Sequence, residues 1–232
     1  MRRWTLAEIR SKIEQDLDLE AEDFVTRSEI NALINEAIDE CEAHIHGLGR
    51  EQEYFLARGS LSLVQGQDTY DLPADIYANK ILKVVYSEGA TIYDMKRLRS
   101  LGRFAEVEIA NKYEAGTDYY RYLILHESAA NDRKILVVPT PTGPSGPHKV
   151  WYIRNANRLV ADTDVCDIPE FVHMVIARVK RDIYVKEGSP QAEPAQMEYE
   201  LQKQLMISTL GEMVPDDDNE IIKDFSHYED AT

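Results

Sequence analysis

The side chains whose types best suit metal binding are Cys41, His44 and His46, which stand close together in a segment with helical periodicity. On a helix, positions 44 and 46 point about 200° apart, so the two imidazoles cannot share one ion. Cys41 and His44 could share an ion, but two ligands do not make a zinc site. The pattern therefore predicts a buried cysteine beside exposed histidines, and no metal.

The acidic run Asp216-Asp217-Asp218-Asn219-Glu220 superficially matches the start of a calcium-binding loop. An EF-hand loop needs glycine at its sixth position and glutamate at its twelfth, and this run has neither. The sequence also lacks GxxxxGK(S/T), GxGxxG, GxSxG and HExxH, the common signatures of nucleotide-binding proteins, serine hydrolases and metalloproteases. The sequence therefore gives no support for catalysis, and we expect neither a catalytic residue nor a metal site.

A basic island near the end of the third predicted long helix suits a different role, which is binding. It consists of Arg178, Lys180, Arg181 and Lys186. Cations are favourable near a helix C-terminus because of the helix dipole, which would explain the island without any partner. The alternative is a contact with DNA or with an acidic partner.

A second candidate for binding lies in the acidic tail, residues 212–232. Its main apolar side chains are Ile221, Ile222, Phe225 and Tyr228. Their spacings of 1, 3 and 3 suit either one helical turn in a groove or an extended strand with pockets. The tail has too little apolar surface to fold alone, so we expect it to be disordered in the free subunit and to order on a partner. A tail that only aids solubility is the alternative.

The charge of the chain restricts the class of partner. Its 232 residues carry a formal net charge of −16, whereas proteins that grip nucleic acid usually present a basic surface. An acidic surface can still lie beside DNA, because it repels the duplex and lets it slide. The sequence contains no run of about 18 apolar residues, so a membrane span is not expected. The N-terminus leads into a charged helix rather than into the apolar core of a signal peptide. Cys41 and Cys166 are expected to be buried, reduced thiols of a protein made in the cytoplasm.

Residues 1–52 contain two capping boxes, and a segment with helical periodicity begins at each of them. Thr5 with Glu8 and Thr26 with Glu29 have the spacing in which each side chain caps a backbone N–H of the other. Apolar residues follow each box at intervals of three and four, which predicts two amphipathic helices. Gly47 and Gly49 end the second one.

Two further helices are expected in residues 166–211. Asp167 is the predicted N-cap of the first, with Pro169 in its first turn. Gly188-Ser189-Pro190 is predicted to end this helix. The second extends from about residue 193 to residue 210, with Met197, Leu201 and Leu205 as its core-facing stripe. Since neither pair of helices buries much surface alone, we expect the two sections to pack together as one bundle.

Between the helical sections, residues 53–165 change to the period of two that is typical of strands. Strands are predicted at 60–63, 80–86, 119–126, 134–138 and 149–154, with one short helix at 99–111. The proline-rich stretch 139–147 is predicted to be a loop or an extended arm. The expected fold class is therefore α+β: a helical bundle from both ends of the chain, an inserted antiparallel β-sandwich or barrel-like domain, and an extended C-terminal tail.

The stretch LVQGQDTYDLPADI, residues 63–76, predicts how this domain begins. Gly66 allows two strands to reverse direction, and Leu72-Pro73 ends the second strand, because a residue before proline avoids the helical region. Asp75 is then expected to cap a local turn by accepting a hydrogen bond from a backbone N–H.

Three segments, in this order, resemble the head-to-tail adaptor (connector) proteins of tailed bacteriophages, particularly short-tailed ones. They are LSLVQGQDTYDLPADIYANKILKVVY, KILVVPTPTGPSGPHKVWYIR and CDIPEFVHMVIARVKRDIYVKEG. The resemblance covers most of the chain, from about Thr5 to Leu210. It implies a structural virion protein at the head-tail junction, with no enzyme activity and no cofactor.

The resemblance also implies the partners. Such a protein forms a homo-oligomeric ring, commonly a dodecamer, beneath the portal protein, and carries tail tube, nozzle or fibre proteins. DNA passes through the channel without specific binding, and no membrane is involved. The acidic tail would then order on the portal or on a neighbouring subunit.

Two other classes of protein remain open from the sequence. One is a receptor- or carbohydrate-binding module of a tail or baseplate, because ten of the thirteen tyrosines lie between Tyr54 and Tyr152 and aromatic rings, with Trp151, can stack on sugars. The long helices at both ends are unusual for such a module. The other class is a bacterial scaffold protein of no viral origin.

Overall fold

The computed structural model describes residues 3–18, 24–88, 91–98, 102, 120–127, 132–141 and 145–212. The chain divides into two compact units. The helical unit combines the described residues up to Leu48 with those from Leu159 onward, and the β-unit is Gly49–Arg158. Residues 99–111, where a short helix is predicted, and the tail side chains from Ile221 to Tyr228 lie outside the described residues, apart from Gly102.

The described residues of the helical unit form four α-helices, and the β-unit begins with a further, short one. Their bounds are α1 Leu6–Asp16, α2 Arg27–Gly47, α3 Glu51–Phe55, α4 Val172–Glu187 and α5 Ala192–Glu212. Helix α4 packs against α1, α2 and α5. The predicted bundle of N- and C-terminal helices is thus confirmed, whereas α3 has no counterpart among the sequence predictions.

The two predicted capping boxes differ in the structure. At α1 the box is complete: Thr5 Oγ1 accepts from the Glu8 N–H at 3.3 Å, and the Glu8 carboxylate accepts from the Thr5 N–H at 2.9 Å. At α2 only the first half forms, with Thr26 Oγ1 accepting from the Glu29 N–H at 3.2 Å. The Glu29 carboxylate instead accepts a hydrogen bond from Lys186 at 2.5 Å. An ion pair to α4 has replaced the reciprocal half of the second box.

The predicted N-cap of α4 is wrong in its details. A short 3₁₀ turn, Pro169–Phe171, precedes α4, and its N-terminal position is taken by Ile168 rather than Asp167, with no side-chain cap. Proline has no backbone N–H, so the first turn has one donor fewer that needs a capping partner. The missing side-chain cap therefore costs less here. The predicted end is confirmed, since Gly188 adopts φ +69° at the C-cap of α4, a conformation that glycine reaches without a steric penalty.

A segment that connects the β-unit back to α4 ties the two helical sections together. In this return segment, residues 159–166, the carbonyls of Asp162 and Asp164 accept from the first backbone N–H groups of α1 at 3.1 and 2.9 Å. The amide of Asn35 on α2 binds Leu159 twice, donating to its carbonyl at 3.0 Å and accepting from its N–H at 2.9 Å. The two bonds to α1 satisfy helix-terminal donors that water would otherwise serve, and the two bonds of Asn35 attach the segment to α2.

The β-unit consists of eight described strands in two sheets. Their bounds are β1 Leu56–Leu63, β2 Thr69–Asp71, β3 Ile76–Glu88, β4 Thr91–Asp94, β5 Lys96–Arg97, β6 Arg121–Glu127, β7 Asp132–Val138 and β8 Ser145–Arg154. One sheet has the order β1-β8-β3-β4 and the other β2-β7-β6-β5. All pairs are antiparallel except β5 with β6, a parallel pair of two residues. Strand β8 begins at Ser145, inside the stretch predicted as a loop or an extended arm, so the end of that stretch is extended.

One apolar core lies between the two sheets. Buried residues of both contribute to it: Leu61, Leu63, Ile81, Val84, Val150 and Tyr152 from the first sheet, and Tyr70, Tyr122, Ile135 and Val137 from the second. Two sheets with a shared inner face form a sandwich, and the described strands do not close into a barrel. The predicted α+β fold class is confirmed.

The stretch 63–76 reverses direction as predicted, with Gly66 at φ +76°. Tyr70 holds the turn closed, because its hydroxyl accepts from the Val64 N–H at 2.9 Å and donates to the Gln67 carbonyl at 2.7 Å. The predicted role of the Asp75 side chain is wrong. It accepts from the Tyr152 hydroxyl at 2.9 Å rather than from a backbone N–H. Burial, followed by this hydrogen bond, raises the pKa of Tyr152 to about 12.

Candidate interaction surfaces

Cys41, His44 and His46, the residues best suited to bind a metal, each serve another contact. Cys41 is fully buried, with its sulfur 3.2 Å from that of Met174, and burial raises the pKa of its thiol. His44 and His46 each lie beside the carboxylate one turn before, at 3.7 and 3.5 Å. The described residues contain no group of three or more potential ligands. The predicted exposure is wrong for His46, whose side chain is only 7% exposed, whereas the side chain of His44 is 28% exposed.

Each cation of the predicted basic island has an acidic partner within the helical unit. Arg178 donates to Glu40 on α2 at 2.7 Å. Lys180 lies between two helices, 3.5 Å from Asp16 on α1 and 3.1 Å from Glu198 on α5. The island therefore lies inside a network of ion pairs that joins α4 to its neighbours.

Aromatic rings complete the surroundings of the other two cations. The Arg181 guanidinium lies 4.4 Å above the ring of Tyr199, close enough for a cation–π contact, and also binds Asp182. Lys186 lies 5.2 Å from the ring of Phe24 and pairs with Glu29. This geometry favours a structural role for the island, in which ion pairs and ring contacts act in addition to the helix dipole.

Glu40, which no sequence motif marks, is the acceptor at the centre of this network. Its carboxylate accepts from Arg178 on α4 and from Tyr199 and Lys203 on α5. Burial alone would raise its pKa, but the hydrogen bonds from these three donors outweigh it and lower the pKa to about 2. One carboxylate thus links α2, α4 and α5, and it is ionised at any physiological pH.

Helix α5 presents its predicted core stripe to solvent. Met197, Leu201 and Leu205 are 66, 55 and 51% exposed, so the prediction that they face the core is wrong. The buried residues of α5 are Ala195, Tyr199, Met206 and Leu210. At about 100° per residue, the two sets lie on opposite sides of the helix. We call the exposed set the α5 stripe.

Three tyrosines of the β-unit belong to its core. Tyr70, Tyr122 and Tyr152 are buried between the sheets, where their rings cannot stack on a sugar. Trp151 is half-buried, and its ring lies 5.7 Å from the guanidinium of Arg58. These four aromatic side chains therefore give the carbohydrate-binding alternative little support.

The boundaries of the two units reveal that charge is divided unevenly along the chain. The β-unit holds 15 of the 26 Lys and Arg residues and 13 of the 42 Asp and Glu residues, a net charge of +2. The helical unit and the tail carry the remaining −18. Some of the basic residues, Lys83, Lys96 and Arg97, line an open groove of about 750 Å³ on the β-unit, with Asp94 opposite Lys83 at 3.8 Å.

The comparison with protein families gives one match. A family model described as SU10 adaptor protein matches residues 4–221, which include the helices, both sheets and the first part of the acidic tail. No curated protein matches the chain. None of the described helices is long and apolar enough to cross a membrane.

Proposed function

Since the chain belongs to the SU10 adaptor protein family of bacteriophage structural proteins, we propose that it assembles as a homo-oligomeric ring, a dodecamer, under the portal protein at the head-tail junction. The ring carries the tail tube, nozzle or fibre proteins and leaves a channel through which DNA passes. The protein acts through its shape and its contacts, without catalysis. The single observation that carries the proposal is the family match over residues 4–221.

The distribution of charge supports a channel that DNA can traverse. The helical unit with the tail has a net charge of −18, and its basic island is already paired with carboxylates. Repeated around a ring, such units would repel a DNA duplex and weaken its binding to the channel wall. The β-unit, which is close to neutral, is the better candidate for contact with tail proteins.

Free protein should show no appreciable affinity for duplex DNA at physiological salt, because phosphate binding needs cations that are not already neutralised. Gel-shift titration of the full chain with a duplex of random sequence checks this. Submicromolar binding would contradict the expectation. It would also restore the alternative in which the basic island contacts DNA through Arg178, Lys180, Arg181 and Lys186. If the Lys186→Glu variant then no longer shifted the duplex in the gel, the island would be identified as the DNA-binding surface.

The acidic tail is proposed to dock on the portal or on a neighbouring subunit through Ile221, Ile222, Phe225 and Tyr228. The test is the mass of a purified portal ring after incubation with the full chain or with a chain that lacks residues 213–232. This deletion keeps α5, which ends at Glu212. We expect the full chain to add a closed set of subunits, and the truncated chain to bind at least about tenfold more weakly, since the loss of four buried apolar side chains exceeds 1.4 kcal/mol.

The two outcomes that contradict the proposal are different. If the full chain leaves the mass of the portal ring unchanged, the adaptor function is wrong for this protein. If the full and truncated chains add equally well, the adaptor function stands and the tail has no docking role. Unchanged far-UV circular dichroism of the truncated chain serves as the control for folding.

A further inference from the structure

The groove of about 750 Å³ on the β-unit opens where the chain passes from one sheet to the other. The chain crosses there between β4 and β5, and residues of β3 and β6 line the remaining sides. We call it the β3–β6 groove. Leu82, one of its lining residues, is 38% exposed, so apolar surface is accessible to a partner. The buried lining residues are apolar or aromatic: Ile81, Met95, Leu98 and Tyr122.

The accessible charges of the β3–β6 groove are mainly positive. Lys83 lies 3.8 Å from Asp94, the acidic residue among those that line the groove, so these two largely neutralise each other. Lys96 and Arg97 are both exposed. Neither of them makes a hydrogen bond or an ion pair within the part of the chain that the structure describes. The groove therefore keeps two positive charges that are available to a partner.

The register of β5 and β6 adds a third cation beside these two. Lys96 is paired with Arg121 in the parallel ladder, so both side chains leave the sheet on the same face. Like charges directly opposite each other destabilise a strand pair. A negatively charged partner would remove this repulsion, which favours an acidic ligand for this part of the β-unit.

The acidic tail of this chain has the chemistry that the β3–β6 groove requires. Residues 213–232 contain seven acidic residues and one lysine, a net charge of −6. Three aspartates, 216–218, precede the apolar side chains of the tail, and Glu229-Asp230 follow them. An apolar centre between acidic flanks is complementary to a groove with an apolar floor and basic residues at its edge. The apolar side chains are Ile221, Ile222, Phe225 and Tyr228.

The tail is also long enough to reach another subunit. Helix α5 ends at Glu212, and the first apolar anchor, Ile221, follows nine residues later. At about 3.3 Å per residue, an extended chain of this length spans about 30 Å, which is roughly the diameter of a small domain.

We propose that the acidic tail of one copy of this chain docks in the β3–β6 groove of the next copy. The inference rests on the proposed ring and names the surface on which the tail docks. Because tail and groove are different surfaces, the contact is heterologous, and repeated copies are linked head to tail around a ring.

The contact depends on assembly. A short segment that orders on binding loses part of its interaction energy to the cost of ordering, so a free subunit binds the tail of another only weakly. When neighbouring subunits are held together, the tethered tail reaches an effective concentration in the millimolar range. The tail then links subunits that have already been collected, and it does not by itself make the free protein oligomeric.

A labelled synthetic peptide of residues 213–232 is the probe. Fluorescence anisotropy follows its binding to the dilute full-length chain and to the Lys96→Glu variant. Lys149→Glu is the matched control, because Lys149 is also an exposed strand lysine but does not line the groove. A second peptide carries Ile221→Ser, Ile222→Ser, Phe225→Ser and Tyr228→Ser, which keeps its net charge and removes its apolar anchors.

We expect the native peptide to bind the full-length chain, and Lys96→Glu to weaken this binding at least about fivefold while Lys149→Glu leaves it unchanged, since only Lys96 lies at the docking surface. The serine peptide should bind at least about tenfold more weakly than the native one. Equal effects of the two lysine substitutions would overturn the inference. A dissociation constant above about 1 mM would do so as well, because the groove would then stay empty even at the effective concentration of a ring.

A full-length chain with the same four serine substitutions shows whether the tail docks on another copy or on its own. If the tail docks on the next copy, the groove is free in dilute solution, so this variant and the native chain bind the native peptide equally. Clearly tighter binding by the serine variant would mean that the native tail already occupies the groove of its own chain, which contradicts docking between copies.

The proposed function can fail separately. If native protein does not add to a portal ring, the adaptor role fails, while the peptide titration, which uses no portal, still decides whether the groove accepts the tail. If native protein adds to the portal ring but the peptide binds that ring and not the chain, the adaptor role stands and the inference is wrong, because the tail then docks on the portal.

Discussion

Replacing Ile34 by aspartate should unfold the helical unit at both ends of the chain. Ile34 is fully buried on α2, a helix that packs against both α1 and α4. Aspartate there removes apolar contacts and buries an unpaired charge, which together cost on the order of 4–5 kcal/mol. Typical domains have only about 5–15 kcal/mol of stability, so most of it would be lost.

Hydrogen exchange of the Ile34→Asp variant measures this effect segment by segment. We expect loss of protection in α1, α2, α4 and α5, while the β-unit, which has its own core, stays protected. Ile34→Val is the control, because it removes one methylene and costs about 1 kcal/mol. If α4 and α5 keep full protection in Ile34→Asp, the helices from the two ends of the chain do not form one cooperative unit.

Regular local signals were sufficient to predict most of the architecture. These signals depend on interactions between residues that are near one another in sequence. They are the capping boxes at Thr5 and Thr26, the glycine at 188 and the period-two alternation of β1. The same holds for Gly66, whose positive φ the turn requires. The packing of α1 and α2 against α4 also followed, because each pair of helices has an apolar face too large to leave exposed.

Helix α5 shows where periodicity is insufficient. It has apolar residues on two opposite sides, and Met197, Leu201 and Leu205 form the more regular set. The other set, which includes Tyr199, is the buried one, because the Tyr199 hydroxyl also donates a hydrogen bond to Glu40 and its ring contacts Arg181. A choice between two apolar faces depends on partners from distant parts of the chain, which a sequence pattern does not contain.

The Glu40 network and the return segment were missed for the same reason. Glu40 is one of 42 acidic residues, and Asn35 is an ordinary polar residue within a helical stripe. Their roles come from contacts with residues more than 100 positions away in the chain. For the same reason the sequence misassigned Asp75, whose partner Tyr152 is on β8, the last strand of the β-unit.

Replacing Glu40 by glutamine should destabilise the helical unit by about 2 kcal/mol at neutral pH, since it removes a carboxylate that accepts three hydrogen bonds and leaves Arg178 and Lys203 without it. The effect should shrink in acid. The pKa of Glu40 is lowered from 4.5 to about 2 in the folded protein. A depressed pKa gives stability that is present above the unfolded value and is lost as pH falls through the folded value.

The difference in unfolding free energy between native protein and Glu40→Gln should therefore be constant above about pH 5.5 and decrease between about pH 4.5 and 2. Urea unfolding at a series of pH values measures it, and taking the difference removes the acid sensitivity of other carboxylates, such as Asp16 and Asp162. Glu198→Gln is the matched control, because Glu198 pairs with Lys180 at an exposed site and such pairs contribute at most about 1 kcal/mol. Equal effects of the two substitutions, or a Glu40→Gln difference that does not change with pH, would mean that this carboxylate does not hold α2, α4 and α5 together.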